Sequence, residues 1–216
     1  MSPFDATMIR RSPIRADLQL IADMVEPGSR VLDVGCGDGQ LLDVLMHDRE
    51  AVGRGIELSQ AGVNACVSHG LSVVQGDADT DLKDYPSHAF DYVILSQTLQ
   101  ATRSPKVVLQ HMVRIGRRAV VSFPNFGHWR VRLALLTQGR MPSSKALPDW
   151  WFETANIHLC TIRDFLLLCA DLGITVERAL ALDNSGQDKR IASPRLANLL
   201  GEHGLFVLSK ERGGAG

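Results

Sequence analysis

The chain has 216 residues, 45% hydrophobic and 22% charged, with a formal net charge of −1. That is the make-up of a globular domain with a sizeable core, not of a disordered chain, and it gives no global drive towards nucleic acid. Its longest apolar runs, such as Phe165 to Ala170, fall far short of the roughly 20 residues that cross a bilayer.

Met1 to Arg15 holds three arginines and no apolar stretch before a small-residue cleavage site, so a secretory leader is not expected and a cytoplasmic protein is. From Ile14 to Val25 apolar residues recur at Leu18, Ile21 and Val25, which predicts a helix ending at Glu26-Pro27-Gly28. Arg30 to Val34 reads as a strand, Gly35-Cys36-Gly37-Asp38-Gly39 as a glycine turn and Gln40 to Met46 as the following helix. The alternation continues with strand Ala51–Glu57, helix Ser59–His69, and strands Leu71–Gln75 and Phe90–Leu95. Helix Pro105–Ile115 and strand Arg118–Ser122 extend it. Strands alternating with helices predict a doubly wound, mostly parallel α/β sheet covered on both faces.

From Phe123 to Cys160 the rhythm stops, and six aromatics, two histidines and several prolines and glycines gather instead. This reads as an insertion beside the site within a single domain. Four cationic residues (Arg130, Arg132, Arg140, Lys145) and no acidic ones lie between Phe123 and Pro148. They fit either a solvated face of an amphipathic helix carrying Val131, Leu133, Leu135 and Leu136 or a lid or docking surface for a partner. Helix Thr161–Leu172 should open on a capping box made by Thr161 and Asp164. Strand Ile174–Leu182, a polar connection through Asn184-Ser185-Gly186 and strand Leu205–Ser209 complete a seven-stranded sheet with an antiparallel pair at one edge, and Gly213–Gly216 should fray. The four cysteines form no C-x-x-C pair, so reduced and mostly buried thiols are expected and a metal site is not.

In such a sheet ligands sit beyond the carboxyl ends of the strands. There the glycine turn offers close backbone approach, and Glu57, 20 residues after Gly37, can accept from both hydroxyls of a ribose. Gly76-Asp77-Ala78 ends the third strand, where a purine edge could be read. The turn spacing is G-x-G-x-G, and Gln40 occupies the last position of the dinucleotide fingerprint, which disfavours a nicotinamide-dependent reductase. No G-K-[ST] follows, which removes the P-loop reading.

Val31-Leu32-Asp33-Val34-Gly35-Cys36-Gly37-Asp38-Gly39 resembles motif I of class I S-adenosylmethionine-dependent methyltransferases. The resemblance implies S-adenosylmethionine or S-adenosylhomocysteine as ligand. Asp33 would face the amino end of its methionine moiety, Glu57 and the neighbouring Leu58 its ribose side, Asp77 its adenine, and Ser96, Gln97 and Thr98 its methionine and acceptor side. Phe123-Pro124-Asn125-Phe126-Gly127-His128-Trp129-Arg130, Gly139-Arg140-Met141-Pro142, Leu147-Pro148 and Asn156-Ile157-His158-Leu159 resemble a narrower family, the methionine biosynthesis protein MetW. Arg15-Ala16-Asp17-Leu18 and Leu95 to Gln100 share that resemblance, whereas Ala155 stands where proline is expected. It implies an accessory or regulatory subunit of an α/β-hydrolase-type homoserine O-acyltransferase, with no nucleic acid or membrane as partner and self-association left open. The alternative is a methyltransferase of an unidentified small-molecule acceptor. His128, His158 and Gln97 are its candidate catalytic groups, and none belongs to a diagnostic acceptor motif, since no N-P-P-[YF] follows the fourth strand. Phe126, His128, Trp129, Arg130, Arg132, Arg140, Trp150 and Trp151 are the candidate lid or docking residues.

Overall fold

The computed structural model describes residues 15–142, 150–154, 156–183, 185–187 and 193–210. Ile14, Lys145, Leu147-Pro148-Asp149, Ala155, Asn184 and Gly213–Gly216 lie outside them. The elements are α1 (Ala16–Met24), β1 (Arg30–Val34), α2 (Gln40–Asp48), β2 (Val52–Glu57), α3 (Gln60–Ser68), β3 (Val73–Gln75), β4 (Phe90–Ser96), α4 (Pro105–Ile115), β5 (Gly116–Pro124), α5 (Trp129–Gln138), α6 (Ile162–Asp171), β6 (Thr175–Leu182), α7 (Pro194–Leu200) and β7 (His203–Ser209). Short 3-10 turns lie at Leu82–Asp84 and Leu99–Ala101. No described helix is long and apolar enough to cross a membrane.

One seven-stranded sheet runs in the order β3-β2-β1-β4-β5-β7-β6. β1 to β5 are mutually parallel, and β7 runs antiparallel to both β5 and β6. The antiparallel pair stands at the edge as the sequence predicts, with β6 outermost. Chain order reverses beside β1, whose two neighbours are β2 and β4, so a crevice opens at their carboxyl ends.

The period-two alternation of the strands divides the core into two layers. Leu32, Val34, Val93, Leu95, Val121 and Phe123 pack with residues of α4 and α6 such as Leu109 and Phe165. Val31, Ile94, Val120 and Leu205 pack on the other face with Leu18 and Ile21 of α1 and Leu41 and Leu45 of α2. The rings of Phe123, Phe165 and Phe206 meet at centroid separations of 4.6–5.6 Å, inside the range of favourable aromatic pairs. Asp33, Ser96, Ser122 and His203 continue the α1-side rows of their strands, so polar groups replace apolar ones on that face at the carboxyl rim.

The Thr161–Asp164 capping box is present, with the Asp164 N–H donating to Thr161 and the Asp164 carboxylate accepting from the Thr161 N–H. β3 starts at Val73 rather than Leu71 and β7 at His203 rather than Leu205, and two further elements differ from expectation. β5 runs on to Pro124 because its ladder with β7 continues to Pro124 and His203, so Phe123 and Pro124 belong to the sheet. The β6–β7 connection contains α7, where Pro194 opens the helix and Gly201 follows its last residue. That proline-in, glycine-out pattern was readable in the sequence and outweighs the weak local periodicity.

Candidate functional site

The glycine turn stands over the crevice because side chains are excluded from it. Gly35 has φ +72°, and a Cβ there would lie 2.8 Å from Thr98 side-chain atoms. The Gly37 N–H donates to Glu57 Oε2 over 2.9 Å and the Ser59 N–H donates to Oε1 over 2.9 Å, so the carboxylate that ends β2 is fixed between the turn and the head of α3. A Cβ on Gly62 would meet Glu57 Cγ at 2.7 Å and the Gly37 carbonyl at 2.8 Å, so Gly62 keeps that carboxylate where it is. Asp38 lies at the head of α2, where its carboxylate accepts from the Gln40 N–H over 3.3 Å, and Gly39 is the helix N-cap.

A cavity of about 210 Å³ is lined by Gly35, Glu57, Leu58, Asp77, Ala78, Thr102 and Arg103. Gly76 also lines it, and the Gly76 N–H donates to the Glu57 carbonyl. The Asp77 carboxylate accepts from the Asp79 N–H over 2.9 Å and is ion-paired to the Arg103 guanidinium. Asp79 accepts the Arg103 and Ser104 N–H groups over 2.8 Å each, satisfying donors at the head of α4 that no side chain of that helix caps. Sequence reasoning did not single out Arg103, whose carboxylate partners lie 24 and 26 residues away.

Asp33 is 2% exposed. Burial first, and the Glu57 carboxylate second, push its pKa up to about 7. The polar rim lies at the same strand ends. Gln97, at φ +51°, donates from its side chain to Asp17 over 2.9 Å, and Asp17 pairs with Arg15. Ser96 and Ser122 share a hydroxyl contact of 3.2 Å, and the Gln97 N–H donates to the Ser122 carbonyl. His203 Nδ1 is buried with no hydrogen-bond partner among the described residues, and burial lowers the ring's pKa. Arg15 and Asp17 carry no local sequence signal beyond the family resemblance. His203 reaches the rim because β7 enters the sheet in reverse, which no local signal announces.

The three catalytic candidates have three different neighbourhoods. Gln97 is held by Asp17 at the polar rim. His158 is exposed and its Nε2 contacts the Arg103 carbonyl at 3.3 Å. His128 is buried as the N-cap of α5, its ring 5.8 Å from that of Trp129. All four cysteines are free. Burial raises the thiol pKa of Cys36 and Cys66, which lie 3.9 Å apart beneath the turn, so neither is a ready thiolate at neutral pH.

Between β5 and α6, Trp129 is 41% exposed, and Trp150, Trp151 and Phe152 are more than 60% exposed. The Arg130 guanidinium lies over the Trp129 ring at 5.4 Å, and Arg140 is exposed. Arg132 is different: its Nε donates to the Gly127 carbonyl over 2.6 Å, bracing the loop. The Phe126 N–H donates to the Cys160 carbonyl. Asn125, 3% exposed, donates to the Asn198 and Gly201 carbonyls and accepts the Gly127 and Ile162 N–H groups. The Pro124-Asn125-Phe126-Gly127 motif therefore ties β5, α6 and α7 together. Among the described residues no group of three or more His, Cys, Asp or Glu could hold a metal ion.

The family model described as "Methionine biosynthesis protein MetW" matches residues 15–208. Among curated proteins, the "Bifunctional methionine biosynthesis protein MetXA/MetW" of Rhodopirellula baltica is 31% identical over 207 residues, covering 92% of this chain and 33% of the relative. The "Ubiquinone biosynthesis O-methyltransferase" of Hahella chejuensis is 28% identical over 158 residues, covering 63% and 66%. The chain thus spans about a third and somewhat under two thirds of these two relatives. A chain from the complex of the Haloferax volcanii Trm112 methyltransferase activator with a putative methyltransferase superposes with a TM-score of 0.67 at 16% identity, covering 91% and 90%. An S-adenosylmethionine-dependent methyltransferase from Mesorhizobium loti gives 0.65 at 19%, covering 89% and 97%. These likenesses establish the methyltransferase fold.

Proposed function

This chain belongs to the MetW family of methionine biosynthesis proteins, and from that premise we propose that it binds S-adenosylmethionine as an accessory, regulatory subunit of a homoserine O-acyltransferase. The observation that carries this reading is the relative named MetXA/MetW, in which a MetW part occupies about a third of one longer chain. We read its remaining part as the acyltransferase. Fusion holds two modules at an effective concentration in the millimolar range; separate chains need a docking surface to the same end. The exposed Trp129, Trp150 and Trp151 and the exposed Arg130 and Arg140 are of the residue types that anchor such surfaces. The reading places the protein in the cytoplasm.

The residues present fit the ligand. The Glu57 carboxylate uses two of its roughly four acceptor positions on backbone N–H groups, leaving the rest for a diol. Leu58 and Ala78 give the cavity apolar lining, Asp77 lines it too, and a Cβ on Gly37 would meet nothing within 4 Å, so backbone there is open to approach. Buried Asp33 supplies a carboxylate for an ammonium or sulfonium charge. When bound, the ligand would supply an electrophilic methyl group, whose use requires an aligned acceptor. As a regulator it acts only by binding the active and inactive complexes with different affinity.

The polar rim of Arg15, Asp17, Ser96, Gln97 and Ser122 favours the second reading, a methyltransferase of a small polar acceptor. The test is acyltransferase activity of the cognate enzyme with and without this protein, and with added S-adenosylmethionine. Ligand-dependent modulation supports the accessory role; no effect and no co-elution, with S-adenosylhomocysteine released on adding small acceptors, replaces it by the second reading.

A further inference from the structure

The cavity beside Glu57 and the aromatic segment between β5 and α6 share one short piece of chain. Residues 101–103 line the cavity, while the Gln100 carbonyl accepts the N–H groups of Ile157 and His158 over 2.9 and 3.0 Å. His158 Nε2 also contacts the Arg103 carbonyl. On the cavity side the same piece is held by the Arg103 guanidinium, ion-paired to Asp77 and 3.7 Å from Asp79. In the proposed reading of the cavity, Asp77 is the carboxylate that would accept an exocyclic purine amine.

We propose that Arg103 competes with the bound purine for Asp77, so that ligand occupancy loosens the Gln100–Arg103 piece and shifts the tryptophan-bearing segment. This rests on the reading of the cavity as an S-adenosylmethionine site and assigns how occupancy would be relayed to a partner. Two further features favour movement there. Gln100 is 3% exposed, yet its side-chain oxygen and nitrogen have no hydrogen-bond partner among the described residues. An unmade bond of that kind weakens the hold on the present arrangement. A second cavity, about 100 Å³, lies between Gln100, His158, Pro105 and Phe165, giving the side chain room to re-pair. Arg103 is itself 70% exposed, so its ion pair opposes the ligand only modestly.

All three tryptophans, Trp129, Trp150 and Trp151, lie in that segment, so tryptophan emission, excited selectively over Tyr85 and Tyr92, reports on it alone. The experiment titrates S-adenosylhomocysteine into the wild-type protein and into Arg103→Ala, reading affinity by calorimetry and the segment by tryptophan emission and iodide quenching. The variant should bind about two- to fivefold more tightly, the range set by an exposed ion pair. Wild type should change its emission on saturation, and the variant should show most of that change before ligand is added. Equal or weaker binding by Arg103→Ala would overturn the competition, since a clamp on the purine gives weaker binding. Unchanged wild-type emission at saturation would overturn the relay. Absence of binding in both proteins would overturn the ligand reading along with the inference, whereas binding without these differences overturns the inference alone.

Discussion

Ligand affinity should depend on pH through Asp33. Its carboxyl is fully buried beside Glu57 and has a pKa of about 7, so in the free protein it is half protonated at neutrality. A ligand bringing an ammonium and a sulfonium charge selects the ionised form, and an opposite charge lowers a neighbouring pKa by about 1 to 3 units. The apparent dissociation constant is then multiplied by 1 + 10^(pKa − pH), about 1.3 at pH 7.5 and about 11 at pH 6.0. That is the limit in which the bound carboxyl stays ionised at pH 6.0; for bound-state shifts of 1 to 3 units affinity should fall about four- to eightfold between those values, and binding near pH 6.5 should release protons. Because a ligand α-amino group titrates close to 8, the comparison stays below that and is referred to Asp33→Asn, which is neutral throughout. The assay is calorimetric titration of S-adenosylmethionine in buffers of different ionisation enthalpy, with S-adenosylhomocysteine, which keeps the ammonium but lacks the sulfonium charge, at the two end points. A wild-type dissociation constant constant within twofold from pH 7.5 to 6.0, or an equal slope in Asp33→Asn, would refute the assignment of Asp33 to the charged end of the ligand.

The same residue makes a stability prediction without ligand. Its folded pKa lies above the ordinary 3.8, so the folded state holds a proton that the unfolded state has lost between about pH 4 and pH 7, and stability falls as pH rises through that window. The full shift corresponds to about 4 kcal/mol, so Asp33→Asn should gain on wild type by up to that much at pH 7.5 and little at pH 4, as thermal denaturation would show. Gly62→Ala should displace the Glu57 carboxylate and weaken ligand binding about tenfold or more, with Glu57→Ala costing about 1.5 to 3 kcal/mol of binding energy; unchanged affinity in both would remove Glu57 from the site. Asn125→Ala abandons four buried hydrogen bonds and should cost about 3 kcal/mol or more in denaturant unfolding, while a loss of ligand affinity with stability intact would reassign the motif to the site. Reversing Arg130 and Arg140 to Glu should weaken association with the acyltransferase and leave ligand affinity unchanged, and co-elution of the double variant at wild-type strength would discard that docking face.

Strand, glycine turn, helix and the acidic end of β2 were legible because each is a local pattern. The 20-residue interval from Gly37 to Glu57 is one β-α-β step, and the N–H bond between them closes it. The Thr161 capping box was equally local. What escaped depends on contacts between distant segments. Arg103 gains its meaning when the loops after β3 and β4 meet at the carboxyl rim, and His203 when β7 enters the sheet in reverse. Arg132 counts in composition as a surface cation, yet in the fold its guanidinium spends a hydrogen bond on the Gly127 carbonyl, which no charge count could reveal.

The placement of β7 has a consequence for synthesis on the ribosome. β5 is finished at Pro124, but the neighbour on its outer side is not made until Ser209. At 5 to 20 residues per second that interval lasts roughly 4 to 17 s, during which a nine-residue, largely apolar strand presents open backbone donors and acceptors. β6 emerges meanwhile parallel to β5 and must leave a slot between them rather than dock directly. Nascent chains should therefore be most vulnerable to aggregation or chaperone capture in this window, and substitutions that slow entry of β7 should reduce soluble yield more than their effect on equilibrium stability would imply.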